Sequence, residues 1–277
     1  MPDPPWPPVA DTWNAERMST PQISDLGRVL ITGATAGIGH EYARQLASRG
    51  HDLVLNARDV PRLEEVAAQL RSTYGVDVEL LPADLTDRTE MARVEARLAD
   101  DERPVDLLVN NAGFGLRKRF LDSDVEDEQA MLDVLVVAVM RLSHAALKAM
   151  VGRGRGGIIN VSSVASFLPR GTYSAAKAWV TSFGQWAANE YAAQGITVLT
   201  LCPGFTRTEF HGRMGIGRDS APEFMWLESE FLIEQSLRDF DKGKVLSIPG
   251  AQYKTVTAVA RLLPRNLLQA YQSMGRK

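Results

Sequence analysis

Short apolar runs alternate with longer amphipathic stretches along this chain. Arg28–Thr32, Asp52–Asn56, Asp77–Leu81, Val105–Val109, Gly157–Val161, Ile196–Leu201 and Val245–Ile248 are too short for helices and read as strands. Between them, Ile38–Ser48, the stretch behind Asp59 and Pro61, residues 88–100, residues 126–150, Thr172–Ala193 and residues 229–242 carry apolar positions at helical spacing. Asp59 reads as the cap of its helix, and Thr86 or Asp87 as the cap of the next. Strands that are apolar throughout, rather than alternating, suit a parallel sheet covered on both faces. About seven such strands joined by right-handed helical crossovers make a doubly wound α/β sheet flanked by helices. A sheet of that kind gathers its ligands at the carboxyl ends of the strands.

No internal repeat or linker divides the 277 residues, and one α/β domain accommodates that length. The expected division is a flexible N-terminal extension over 1–25, the α/β domain over 26–250 and a helical extension over 251–277. The first of these has five prolines in its first eight residues and lacks the apolar run of a secretory leader. Trp6 and Trp13 are its candidate anchors. The 31 basic and 34 acidic residues leave a net charge of −3, which argues against a nucleic-acid binder working through bulk charge. No apolar run approaches membrane-spanning length, so no stable membrane insertion is expected. Cys202 is the single cysteine; it excludes an intramolecular disulfide and fits a cytoplasmic setting. His40, His51, His144 and His211 lack metal-ligand spacing, and no metal site is expected.

Four motifs at strand ends carry chemistry. The first strand runs into Thr32-Gly33-Ala34-Thr35-Ala36-Gly37-Ile38-Gly39. Small residues there let the backbone turn tightly and approach a pyrophosphate at a helix N-terminus. A P-loop lysine motif is absent from the sequence, which argues against nucleotide hydrolysis. The second strand ends at Asn56-Ala57-Arg58, where an NAD site would want a carboxylate for the ribose hydroxyls. Arg58 instead suits a 2′-phosphate, so NADP(H) is preferred, with NAD(H) left open through Asp59. Asn110-Asn111-Ala112-Gly113 follows the next apolar strand. Beyond it come Ser162-Ser163 and Tyr173-Ser-Ala-Ala-Lys177, the last pair sharing one helix face. An ammonium beside a phenol lowers its pKa and makes it a usable acid/base, and a serine hydroxyl can stabilise developing charge.

Together these motifs resemble the short-chain dehydrogenase/reductase family over about Gly27 to Pro249. The resemblance implies a Rossmann fold and interconversion of a carbonyl and a secondary alcohol. Gly33, Thr35, Gly37, Ile38 and Gly39 would form the cofactor turn, with Asp84 and Leu85 beside the adenine and Asn111, Ala112 and Gly113 in the central turn. Pro203, Gly204, Thr206 and Thr208 would close over the nicotinamide. Tyr173 would exchange the proton, Ser163 orient the oxygen, and Lys177 lower the Tyr173 pKa and hold the ribose. The family's long helices pair between subunits, which implies a homodimer or homotetramer, with Val134, Val136, Val137, Trp179, Phe183 and Trp186 as candidate contacts.

Two departures stand out. Asp133-Val134-Leu135 places leucine where many members carry a catalytic asparagine, which implies a weaker proton relay. Ser163 and Tyr173 are ten residues apart, a shorter interval than is usual in the family, which leaves Ser162 open as the catalytic serine. Phe205, Phe210, Met214, Phe224, Met225, Trp226 and Phe231 suggest an apolar lid over a lipophilic substrate, with ordinary packing as the other reading, and Met214–Gly217 reads as its hinge. The leucines and basic residues of the C-terminal tail suit a docked helix or dimer contact, or else an anionic membrane surface. The competing function is a non-catalytic NADP(H)-binding regulator on the same fold, which the missing asparagine favours and the intact Ser163, Tyr173 and Lys177 oppose.

Overall fold

The computed structural model describes residues 21–116, 118–208 and 221–262. Seven parallel strands, β1 (Arg28–Thr32), β2 (Leu53–Asn56), β3 (Val78–Leu80), β4 (Val105–Asn110), β5 (Gly156–Val161), β6 (Ile196–Leu201) and β7 (Leu246–Ser247), form one sheet in the order β3-β2-β1-β4-β5-β6-β7. The order reverses between β1 and β4, where Val29 pairs with Leu107 and Ile31 with Val109. That switch point opens a crevice at the carboxyl edge. Strands β4, β5 and β6 are buried at every position, which is why apolar residues stand side by side in them, as in Leu107–Val109, instead of alternating with polar ones.

Helices α1 (Gly37–Ala47), α2 (Val60–Tyr74) and α6 (Ser229–Asp241) contribute buried apolar residues to one core, on one face of the sheet. Helices α3 (Arg88–Leu98), α4 (Val125–Arg153) and α5 (Thr172–Glu190) cover the other. Asp59 caps α2 by accepting from the Arg62 amide at 3.2 Å, and Asp87 caps α3 through the Thr89 and Glu90 amides. Of the two caps considered for α3, the residue is therefore Asp87. Gly75 and Gly154 end α2 and α4 in left-handed conformations.

Helix α4 departs from the simple amphipathic pattern. Its middle, Asp133–Ala138, widens into a π-helical stretch. By length and hydropathy α4 could cross a membrane, yet half of its apolar window is buried within the fold, against α3 and α5. Val134 is itself buried, so it does not belong to the exposed contact face expected for it.

The first and last described segments are anchored. Ile23 and Leu26 are buried, and the Ile23 amide donates to Asp241 Oδ1 at 2.7 Å, so the expected extension is docked by this point. Trp6 and Trp13 lie outside the described residues. Helix α7 (Ala251–Leu262) follows β7 and buries Tyr253 and Thr257; the tail from residue 263 on, including Arg265, lies outside the described residues.

Candidate active site

The crevice at the β1/β4 switch point is a cavity of about 980 Å³. Its floor is built by hydrogen bonds between two strand ends. Thr32 Oγ1 accepts from the Asn111 and Ala112 amides at 2.9 and 3.0 Å, and Asn111 Nδ2 donates to the Thr32 and Gly33 carbonyls at 2.8 and 3.2 Å. Gly33 has φ +66°, and a Cβ there would approach the Ala112 backbone to 2.9 Å, so both conformation and space demand glycine. Gly33, Thr35, Gly37 and Ile38 line the cavity. Gly39 does not. A Cβ on Gly39 would collide with Asn111 and Gly33, so its part is to let α1 pack against the turn.

At one end stand Arg58, Asp84 and Leu85, together with Arg62, whose role was not legible in its sequence position. Arg58 Nη1 lies 3.5 Å from Asp84 Oδ2, and the Arg58 side chain is 70% exposed. Arg62 Nε donates to the Thr35 carbonyl at 2.9 Å, which ties α2 to the glycine turn. Burial works against the Asp84 charge, but the Thr86 amide and hydroxyl and the Arg58 guanidinium outweigh it and hold the carboxyl below the usual carboxylate value. Asp59 also lines this end, with its carboxylate engaged as a helix cap.

At the other end Ser163, Tyr173 and Lys177 come together with Gly113, Pro203, Gly204, Thr206 and Thr208. Lys177 Nζ donates to the Val161 carbonyl at 2.7 Å and stands 5.9 Å from the centre of the Tyr173 ring. The two serines diverge along extended backbone. Ser162 is buried, with its hydroxyl donating to the Lys177 carbonyl at 2.8 Å and paired with Thr181 at 2.7 Å. Ser163 hydrogen-bonds the Tyr173 hydroxyl and accepts from the Ala165 amide at 3.1 Å. The geometry therefore brings Ser163, rather than Ser162, to the phenol.

The expected depression of the Tyr173 pKa is absent from this arrangement. Burial pushes the hydroxyl up to about 12, against the bond from Ser163, and pushes the Lys177 ammonium down to about 8. The ammonium faces the ring and a backbone carbonyl, so desolvation decides both shifts.

The lid residues also differ from expectation. Phe205 and Met225 pack onto the core, Trp226 lies against Phe205 with ring centres 5.3 Å apart, and Phe224 and Phe231 are exposed. None of these lines the cavity; Phe210, Met214 and the expected hinge at Met214–Gly217 fall outside the described residues. An apolar wall comes instead from Phe114, Val134 and Leu135. Leu135 is fully buried with Met131 and Ala176, and Phe114, Leu116 and Tyr173 pack against that cluster. Among the described residues, no His, Cys, Asp and Glu side chains cluster as a metal site.

Residues 28–219 match the family model described as short chain dehydrogenase. The chain belongs to the short-chain dehydrogenase family. It is an oxidoreductase of that family, acting on CH–OH groups. A short-chain dehydrogenase from Sphingobium yanoikuyae, solved in complex with NADPH, superposes with a TM-score of 0.79 at 39% identity, over 85% of this chain and 94% of that one. A bulky-bulky ketone specific alcohol dehydrogenase from Comamonas testosteroni gives 0.75 at 32% identity, over 88% and 94%. Gluconate 5-dehydrogenase of Gluconobacter oxydans is 29% identical over 84% of this chain and 98% of its own. This short-chain dehydrogenase thus shares its fold and length with carbonyl and alcohol oxidoreductases.

Proposed function

We propose that this short-chain dehydrogenase is an NADP(H)-dependent carbonyl reductase or secondary-alcohol dehydrogenase for a lipophilic substrate, with Tyr173 as the acid/base. The observation that carries this reading is the convergence of Ser163, Tyr173 and Lys177 at one end of a cavity whose other end holds Arg58 and Arg62. The residues fit a dinucleotide. The glycine turn leaves no room for side chains against Asn111 and Ala112, and the N-terminus of α1 has no side-chain cap to compete with a phosphate. Arg58 and Arg62 would hold a 2′-phosphate, Asp84 and Leu85 the adenine side, and Lys177 and the Pro203–Thr208 segment the nicotinamide side. A bound nicotinamide cofactor supplies or accepts hydride. The protein's part is the proton. With its pKa raised, Tyr173 stays protonated at neutral pH and can donate to a carbonyl oxygen, which Ser163 orients. The NADPH complex of the Sphingobium relative supports the cofactor.

The wall of Phe114, Val134 and Leu135 supports the substrate class, and so does the bulky-ketone relative. A second contact surface runs along α5. Trp179 stacks on Phe183 with centres 5.0 Å apart, and Trp186 beside them is 49% exposed. We assign that surface to self-association as a dimer or tetramer, which light scattering on the full chain checks.

NADPH oxidation with a carbonyl panel tests the function. The panel contains bulky aromatic ketones, 3-oxoacyl thioesters and polyhydroxy ketones, assayed with wild type and Tyr173→Phe. Tyr173-dependent turnover of the apolar ketones is expected. Turnover of the polyhydroxy ketones alone overturns the substrate class. NADPH binding with no Tyr173-dependent turnover favours the regulator reading instead.

A further inference from the structure

Tyr253 sits on α7, in the C-terminal part of the chain, yet its side chain reaches the segment that walls the catalytic end. Its hydroxyl accepts from the Phe205 amide at 2.8 Å and donates to the Met225 carbonyl at 2.5 Å. Its ring occupies the space that a Cβ on Gly204 would need. The residue is 2% exposed. The two backbone groups it joins belong to the two arms of a narrow neck. The Leu227 amide donates to the Phe205 carbonyl and the Arg207 amide to the Leu227 carbonyl, each at 2.9 Å, and Thr206 bridges Leu227 in parallel register. Gly204, Thr206 and Thr208 line the cavity between these bonds, and Thr208 lies directly against the Gly37 turn.

This arrangement has the features of a positioning device. A cavity wall made of backbone has little stiffness of its own, and the hydroxyl fixes it from behind by satisfying one donor and one acceptor that would otherwise be buried. Burial pushes the Tyr253 hydroxyl up to about 12, so it keeps its proton and its donor role throughout the neutral range.

We propose that Tyr253 is a positioning residue for the nicotinamide side of the cavity, making α7 a part of the cofactor-binding apparatus. The proposal rests on the reading of the cavity as an NADP(H) site.

Tyr253→Phe removes both hydrogen bonds and keeps the ring against Gly204, so the fold is retained. Binding is read by fluorescence titration with NADPH and by calorimetry with adenosine 2′,5′-bisphosphate, which carries the adenine half alone. The variant is expected to bind NADPH about fivefold to tenfold more weakly, the equivalent of one or two ordinary hydrogen bonds, and to bind the bisphosphate as wild type does. A control variant, Gln252→Ala, removes only the bond from α7 to the Phe224 carbonyl and should leave both affinities unchanged. Three results overturn the proposal: unchanged NADPH affinity in Tyr253→Phe, an equal loss for both ligands, or the same loss in Gln252→Ala. If wild type binds neither ligand, the cofactor reading fails and the proposal with it; if wild type binds both and only the variant pattern disagrees, the cofactor reading stands.

Discussion

The two ends of the cavity use charge in opposite ways. At the Arg58 end the guanidinium is 70% exposed and its carboxylate partner one third exposed. A pair in that setting contributes at most about 1 kcal/mol. It is easily exchanged for a phosphate with stronger geometry. At the Tyr173 end Lys177 is 5% exposed and has a backbone carbonyl for a partner. There the same kind of cation is driven toward neutrality and the neighbouring phenol is held protonated. On the proposed function, recognition would lie in water, where partners swap at small cost, and proton chemistry in a desolvated corner, where pKa values can be moved by whole units.

The sharpest way to separate the ends is Tyr173→Phe. It should lower turnover about 10²- to 10⁴-fold while NADPH affinity stays within a factor of about two. Steady-state kinetics with parallel cofactor titration read both numbers, and a comparable loss in each would mean that the two ends are not separable.

Lys177 offers a test of desolvation itself. Its folded pKa of about 8 lies below the ordinary 10.5, so between those values the unfolded chain holds more protons and stability rises with pH. The unfolding free energy of wild type, read from urea titrations, should therefore climb from about pH 8 to pH 9, by about 1 kcal/mol, and Lys177→Met should lack the climb. Arg58→Met should retain it. Because burial also raises the Cys202 thiol to about 11 and the Tyr173 and Tyr253 hydroxyls to about 12, these groups act in the opposite direction from about pH 9 upward, and the comparison belongs below that value.

At the exposed end, Arg58→Ala should weaken NADPH about 10- to 100-fold and leave NADH nearly unchanged, as the loss of a charge-assisted pair with a phosphate predicts. Equal affinities for the two cofactors in wild type would remove the NADP assignment. The smallest effect concerns Leu135, whose side chain would crowd any Cβ on Gly113, close to Lys177 Nζ. Leu135→Asn should raise turnover and alter the pH profile, while the buried amide lowers stability by about 1–3 kcal/mol. Unchanged turnover and profile would show that the relay does not need the amide.

What could be read from the amino-acid order was whatever leaves a local pattern. The seven strands, the Asp59 cap and the glycine turn are each set by residues within a few positions of one another, and all appear where expected. The π-helical stretch at Asp133–Ala138 leaves no mark on helical periodicity, because one widened turn barely shifts the apolar stripe. The choice between Ser162 and Ser163 depends on which of two adjacent side chains reaches the Tyr173 hydroxyl, a fact of tertiary placement. Arg62 carries no sequence signal of its own, because its place at the cavity is set by how α2 lies against the glycine turn. The pKa directions were beyond reach for the same reason: Tyr173-x-x-x-Lys177 gives proximity along a helix, whereas burial depends on everything packed around it.

The seam between β1 and β4 has a consequence for how the chain assembles. Thr32 and Asn111 are separated by 79 positions, and their bonds form only when a long loop of chain closes. Contacts of that span are late and slow in folding. The crevice therefore takes shape only once that loop has closed, together with the pairing of β1 and β4. A dinucleotide lying across it would act as a staple over the join, stabilising the finished sheet in proportion to the logarithm of its concentration. Cofactor supply would then set how long newly made chains persist, as well as how fast they turn over.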